Sequence, residues 1–199
     1  MEKSFINAIK DRRSYYALSR ESTISDERIQ EILEAALLHA PSSMNSQSTR
    51  MVLLLGENHD RFWNMLLEVM KNILSKEQYP TTESKLLGFK NSYGTVLFFE
   101  DQKVVEELSQ KYSLYAANFP KWSLQTAAIH EFIVWTALEQ EGMGASLQHY
   151  NELIQNQVIK EWNLPDSWLL NAQMPFGKPV ALPGEKQHQS LDTRLKIFK

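Results

Sequence analysis

The sequence predicts a mixed fold of helices and strands in one domain spanning residues 1–199, and three observations carry that reading. Short apolar or β-branched runs at Met51–Leu55, Thr95–Phe99 and Trp168–Met174 are separated by stretches of helical periodicity. From Ala127 to Leu138, nine of twelve residues are apolar, too many for a helix that must turn a polar face to water. The chain holds no internal repeat, low-complexity run or Pro/Gly-rich linker.

Taken in order, Lys3–Asp11 reads as a first helix with Phe5, Ile6 and Ile9 apolar. In the second, Ser25 suits the N-cap, Asp26 and Glu27 suit the positive helix start, and Ile29, Ile32, Leu33, Ala36 and Leu37 line one face. Pro41 ends it. The strand Met51–Leu55 stops at Gly56, and a long amphipathic helix follows with Phe62, Met65, Leu66, Val69 and Ile73 on one side. Tyr79–Tyr93 is polar and reads as an irregular surface excursion. After the strand Thr95–Phe99 come a short helix near Gln102–Gln110 and an aromatic segment with Tyr112, Tyr115, Phe119 and Trp122. Ser123–Gln140 is read as a central buried helix closed by Gly142. A strand at Ala145–His149, a helix carrying Leu153, Ile154, Val158, Ile159 and Trp162, the strand Trp168–Met174 and a β-competent end at Arg194–Phe198 complete the chain.

The 21 Lys+Arg against 24 Asp+Glu give a formal charge of -3, which argues against a general nucleic-acid binder. No apolar stretch is long enough to span a bilayer, and the N-terminus shows no signal-peptide core, so no membrane role is expected. Zero cysteine removes disulfides, thiolate metal sites and a Cys nucleophile, and suits a reducing, cytoplasmic compartment. Charge is uneven: the 22 residues after Gly177 carry a net +3, from five basic and two acidic residues, and the rest sums to -6.

Several motifs fail. There is no phosphate-binding GxxxxGK[ST] loop, and Gly142-Met143-Gly144 meets Leu147 where a dinucleotide fingerprint needs its third glycine. His130-Glu131 lacks the second histidine of a zinc-protease helix, and His130 reads as a satisfied core residue. Gly144-Ala145-Ser146 is not a nucleophile elbow. Three segments remain. Asp11-Arg12-Arg13-Ser14 sets two guanidiniums beside a hydroxyl, a set that holds phosphate or, more plainly, complements a helix end. Pro41-Ser42-Ser43-Met44-Asn45-Ser46-Gln47 concentrates neutral hydroxyls and amides in a stretch, Ala35–Gly56, without one acidic residue. Such groups read the edges of a heteroaromatic ring or form an ordinary turn. The run Gly142–Tyr150 has small residues that let backbone approach a flat ligand, or cap a helix ahead of a strand.

The order and spacing of these segments resemble the nitroreductase family of FMN-dependent oxidoreductases, as does Phe176-Gly177-Lys178-Pro179 followed by Lys186, His188 and Leu191-Asp192. The run Gly144-Ala145-Ser146-Leu147-Gln148-His149-Tyr150-Asn151 is similar to its fatty-acid-repression-type branch. The resemblance implies an α+β fold, a central and mostly antiparallel sheet flanked by helices, with the C-terminal strand exchanged in a homodimer. It implies two FMN sites at the dimer interface and NAD(P)H-dependent, ping-pong reduction of nitroaromatic or quinone-type acceptors through flavin N5. A flavin-binding regulator with little turnover is the other reading.

By the same resemblance, Arg12, Arg13 and Ser14 match phosphate and ribityl contacts, and Lys186 and His188 match tail positions that reach the phosphate. Ser42, Ser43 and Asn45 match a loop given by the other subunit, and Gln47 a position near the ring. Leu147 and Gln148 match the segment whose backbone amide approaches N5. Tyr16 stands where many relatives carry a cation facing the pyrimidine side of the flavin, so either Arg13, Lys85 or Lys90 is expected to supply that charge or the flavin potential is expected to be lower. His188 replaces the usual arginine, so phosphate affinity is expected to fall as the imidazole loses its proton. Tyr112, Tyr115, Phe119 and Trp122 are candidates to cover the ring. The chemistry belongs to the flavin, and no protein nucleophile or base is expected.

Overall fold

A computed structural model describes residues 3–199. Helix α1 (Phe5–Asp11) begins at Ser4, whose Oγ accepts from Asn7 N–H. After β1 (Leu18–Ser19), helix α2 (Asp26–His39) begins at the expected Ser25 cap, which accepts from Arg28 N–H. A single 3-10 turn, Ser43–Asn45, leads to β2 (Thr49–Leu55). Gly56, at φ +54°, stops the strand and turns the chain directly into α3 (Gly56–Ile73). Then come α4 (Tyr79–Lys90), β3 (Gly94–Asp101), α5 (Gln102–Lys111) and a 3-10 segment Ser113–Asn118. The long α6 (Phe119–Gln140) ends before Gly142, at φ +78°. The chain closes with β4 (Gly144–Ala145), α7 (Asn151–Glu161), β5 (Trp168–Pro179) and a 3-10 turn Leu191–Thr193.

The fold is α+β. The sheet runs β1-β5-β3-β2 with β4 also on β5, and every strand pair is antiparallel. Its middle strand β3 is buried along its whole length because both faces are covered. Val96 and Phe98 face α2 and α6, packing with Ile29, Ile32, Leu33 and Val134. Leu97 and Phe99 face α3, α4 and α7, packing with Phe62, Trp63, Leu66, Phe89 and Val158. That two-sided cover explains the unbroken apolar run in sequence, since alternate side chains both enter cores. Each such side chain contributes about 1.5–3 kcal/mol of burial.

Four expectations are corrected. Tyr79–Lys90 is a helix, not an irregular excursion. Pro80 sits in its first turn, where a missing N–H costs nothing, and only Leu86 and Phe89 are buried, so no apolar stripe advertises it. The strand at Ala145–His149 shrinks to Gly144–Ala145 plus a lone bridge from Gln148 to Gln173. The last strand instead runs past Met174 to Pro179, because Gly177 and Lys178 pair with β4 and β1. The end at Arg194–Phe198 forms no strand in the single chain; the N–H groups of Arg194 and Leu195 turn back to Leu191 O.

Helix α6 is central but not buried all round. Ala127, Val134 and Leu138 are inside, whereas Leu124, Ile129 and Phe132 are exposed. Its excess of apolar residues thus includes a face that a single chain leaves in water.

Candidate functional site

The site is built where the end of α1 meets the start of β4. Arg12 closes α1 with its N–H on Ala8 O at 2.8 Å, and the chain leaves in an extended path. Ser14 then bridges Ala145 in parallel, and Tyr15 N–H donates to Ala145 O at 2.9 Å. Gly144 permits this approach: a Cβ there would stand 2.9 Å from the Tyr15 and Leu18 side chains. Two segments 130 residues apart in sequence are therefore set side by side by backbone bonding.

Arg12 lays its guanidinium over the Trp135 ring of α6, 4.3 Å from the centroid. Burial, and then the charge of Arg13, pulls its pKa below the usual arginine value, while Glu139 opposes both. Arg13 donates to Gly184 O at 2.6 Å and so holds the start of the tail beside this corner. Val180 N–H on Ala17 O and Lys178 N–H on Glu21 O seat the residues just before it. Lys186 and His188 follow within four residues of Gly184, with exposed side chains. Neither Arg12 nor Arg13 forms a salt bridge among the described residues, so two adjacent cations await an anion.

Across the bridge, Ser146 N–H is bonded to Pro175 O and Gln148 N–H to Gln173 O. The Gln148 side chain turns inward to Ser146 Oγ at 3.1 Å. Leu147 N–H, between them, has no acceptor among the described residues. The expectation for Leu147 and Gln148 therefore narrows to one free amide, that of Leu147.

Tyr16 is exposed and leans on Phe89 of α4, with ring centroids 6.0 Å apart. Lys85 lies over the same Phe89 ring at 5.5 Å and over Tyr150 at 6.0 Å. Burial, then Tyr16, raises the pKa of Tyr150. Of the expected sources of positive charge, Lys85 shares the Phe89 ring with Tyr16.

Ser42, Ser43, Asn45 and Gln47 are not at this corner. Their loop sits at the start of β2, and no hydrogen bond joins it to Arg12–Ser14 among the described residues. Met44, Asn45 and Gln47 all have left-handed φ values of 54°, 53° and 48°. Gln47 N–H donates to Ser42 Oγ, and Arg50 donates to Gln47 O at 2.7 Å. Beneath, Ser48 and Thr49 hydroxyls each donate to the buried Glu100 at 2.5 Å. Burial raises the Glu100 pKa against those bonds, and His130 completes the network, 3.2 Å from Thr49 Oγ1 and 2.9 Å from Thr126 O. His130 is thus the satisfied core residue expected.

Tyr112, Tyr115, Phe119 and Trp122 form one aromatic cluster beside this loop, with Phe119 edge-on to Trp122 at 5.1 Å. Sequence reasoning missed Trp135 and Glu100. Trp135 is hidden in an apolar run, and no local pattern links Glu100 to Ser48 fifty-two residues away.

A profile of the Nitroreductase family matches residues 9–178. Putative nitroreductase HBN1 of Saccharomyces cerevisiae is 32% identical over 196 residues, 96% of either chain. Nitroreductase CinD from Lactococcus lactis, solved in complex with chloramphenicol, superposes with a TM-score of 0.89 at 41% identity, covering 98% of this chain and 100% of CinD. A putative nitroreductase from Exiguobacterium sibiricum, in complex with FMN, shares the fold with a TM-score of 0.73 at 17% identity, over 98% of this chain and 97% of that one. No helix among the described residues is long and apolar enough to cross a membrane. The family match begins just before the arginine corner and ends on the last strand, and on that extent the chain belongs to the nitroreductase family.

Proposed function

We propose that this protein is an FMN-dependent oxidoreductase that takes reducing equivalents from NAD(P)H and passes them to nitroaromatic or quinone-type acceptors, working as a homodimer. One observation carries the reading. Among the described residues, two neighbouring guanidiniums without carboxylate partners precede Ser14 on one side of the Ser14–Ala145 bridge, and one unspent backbone amide, Leu147 N–H, follows Ala145 on the other. An anion at one end and a hydrogen-bond acceptor at the other describe a flavin mononucleotide, with its phosphate on Arg12 and Arg13 and its ring edge on Leu147.

When bound, FMN accepts and donates hydride at N5, so donor and acceptor use one site in turn. The residues of the chain bind, orient and shield. Arg12 and Arg13 neutralise the phosphate, Lys186 and His188 reach it from the tail, and Ser14 meets the ribityl chain. Lys85, which shares the Phe89 ring with Tyr16, offers positive charge to the flavin. Ser42, Ser43, Asn45 and Gln47 lead into β2, at the opposite end of the strand order from β1 beside the corner, and on this reading they complete the site of a second copy. The exposed apolar residues Leu182 (85%), Leu191 (68%), Ile197 (69%) and Phe198 (93%) support that pairing, as does the open face of α6. CinD in complex with chloramphenicol and with 4-nitrophenol supports the acceptor class.

Purified protein should be yellow and dimeric, and anaerobic NADH or NADPH should bleach its flavin absorbance within seconds. Added 4-nitrophenol should then restore the colour, with parallel double-reciprocal plots. Bound flavin that stays oxidised for many minutes would make the protein a flavin-binding regulator; a colourless monomer that ignores FMN would overturn the reading.

A further inference from the structure

We propose that the cavity enclosed by α6, α7 and the outer edge of β5 is a second binding site, which takes a small organic amine with an apolar body. The cavity measures about 540 Å³, and none of the residues assigned above to the flavin lines it. Its wall shares Leu124 with the α6 face assigned above to pairing, so the cavity lies beside that surface, but no flavin contact is needed for it.

Two polar groups in the cavity wall lack partners. Glu131, only 9% exposed, has neither a hydrogen bond nor a salt bridge among the described residues. Asn171 Nδ2 is buried with no acceptor. A buried orphan such as Asn171 Nδ2 is costly unless something answers it, whereas the Glu131 carboxylate oxygens keep some exposure to the cavity. The neighbouring amides cannot: Asn151 Nδ2 is committed to Asn171 O at 2.6 Å, and Gln155 bonds both Trp168 O and Leu170 N–H. They cap the free edge of β5 and make a fixed wall.

The lining sets the ligand's chemistry. It contains no lysine or arginine, so Glu131 has no cation within the cavity. Leu124, Ala127 and Leu169 supply apolar wall. An ammonium group answers Glu131, an oxygen acceptor answers Asn171 Nδ2, and a compact apolar body fills the rest. Burial, then the charge of Glu100 on β3, pushes the Glu131 carboxyl up to about 7. His149 and Glu152 face it from the α7 side, and His130 precedes it on α6. Below that value an amine must displace the carboxyl proton, so binding weakens as pH falls from 8 to 6.

The test is calorimetry on the flavin-loaded protein with 2-amino-1-phenylethanol, with benzoate as the anionic control. The amine should bind at pH 8, more weakly at pH 6, and benzoate should not bind. Glu131→Gln, which keeps the shape, should weaken amine binding roughly ten- to hundredfold. Glu107→Gln, on the exposed side of α5 and outside the cavity lining, should leave it within about twofold, as expected of a screened surface charge. Absent binding, equal binding of benzoate, or unchanged affinity in Glu131→Gln would overturn the proposal. Flavin content is read from the same samples by absorbance, so colourless protein that still binds amine strikes the flavin reading alone.

Discussion

The Arg12–Ser14 corner and the Ser42–Gln47 loop look alike in sequence, each a polar stretch directly after a helix, yet they are held in opposite ways. The corner is extended backbone with negative φ throughout, fixed by a bridge to Ala145 and by Arg12 on Trp135. The loop holds three left-handed non-glycine residues within four positions. Its shape is imposed from below, by Ser48, Thr49 and Arg50 reaching to Glu100 and Asp101. Left-handed residues of this kind persist where surrounding structure over-determines them. The corner is therefore ready in the single chain, while the loop is a strained element supported by a buried carboxyl.

The strongest way to break that contrast is Glu100→Ala. It removes the shared acceptor of two buried hydroxyls, leaving Ser48 to Ser46 and Thr49 to His130, and should cost about 1–3 kcal/mol of stability by urea unfolding. Amide exchange should rise through residues 42–49 and stay slow at Tyr15, whose N–H belongs to the corner. Equal loosening of both regions would show that they are one unit, and the contrast would fail.

Arg12→Ala acts on the other side of the comparison. Losing one charge-assisted phosphate contact should weaken FMN binding by about 1.5–3 kcal/mol. Arg20→Ala should leave it unchanged, since Arg20 pairs with Asp60 on the surface. Equal flavin retention by both variants on gel filtration would remove the phosphate assignment.

The same contrast explains what could be read beforehand. The Arg-Arg-Ser corner was legible because a helix end, a small residue at Gly144 and a strand start are local signals, and backbone bonding joins them. The α2 cap at Ser25 and the apolar run of β3 were legible for like reasons. Helix α4 was not, because Leu86 and Phe89 alone anchor it and Pro80 reads as a breaker. The loop's residue types were visible, but not its conformation, because Glu100 lies fifty-two residues from Ser48 and acts through tertiary contact alone. The tail's β-competence found no partner strand in the single chain.

The smallest expected effect probes the strain itself. Met44 is half-exposed with φ 54°, so its side chain gains little burial in return for a left-handed backbone. Glycine adopts that region freely, which should return about 1–2 kcal/mol to the folded state. The unfolded chain also gains freedom from glycine, which takes back about 0.5–1 kcal/mol. Met44→Gly should therefore stabilise the protein by up to about 1.5 kcal/mol, read as a higher urea midpoint at unchanged slope. Flavin affinity tells which state the loop prefers once relieved. If the left-handed turn is the binding shape, affinity holds or rises; if relief lets the loop relax elsewhere, affinity falls while stability climbs. A destabilised Met44→Gly variant would mean that the loop is not strained at this residue, and that Glu100 supports it for packing alone.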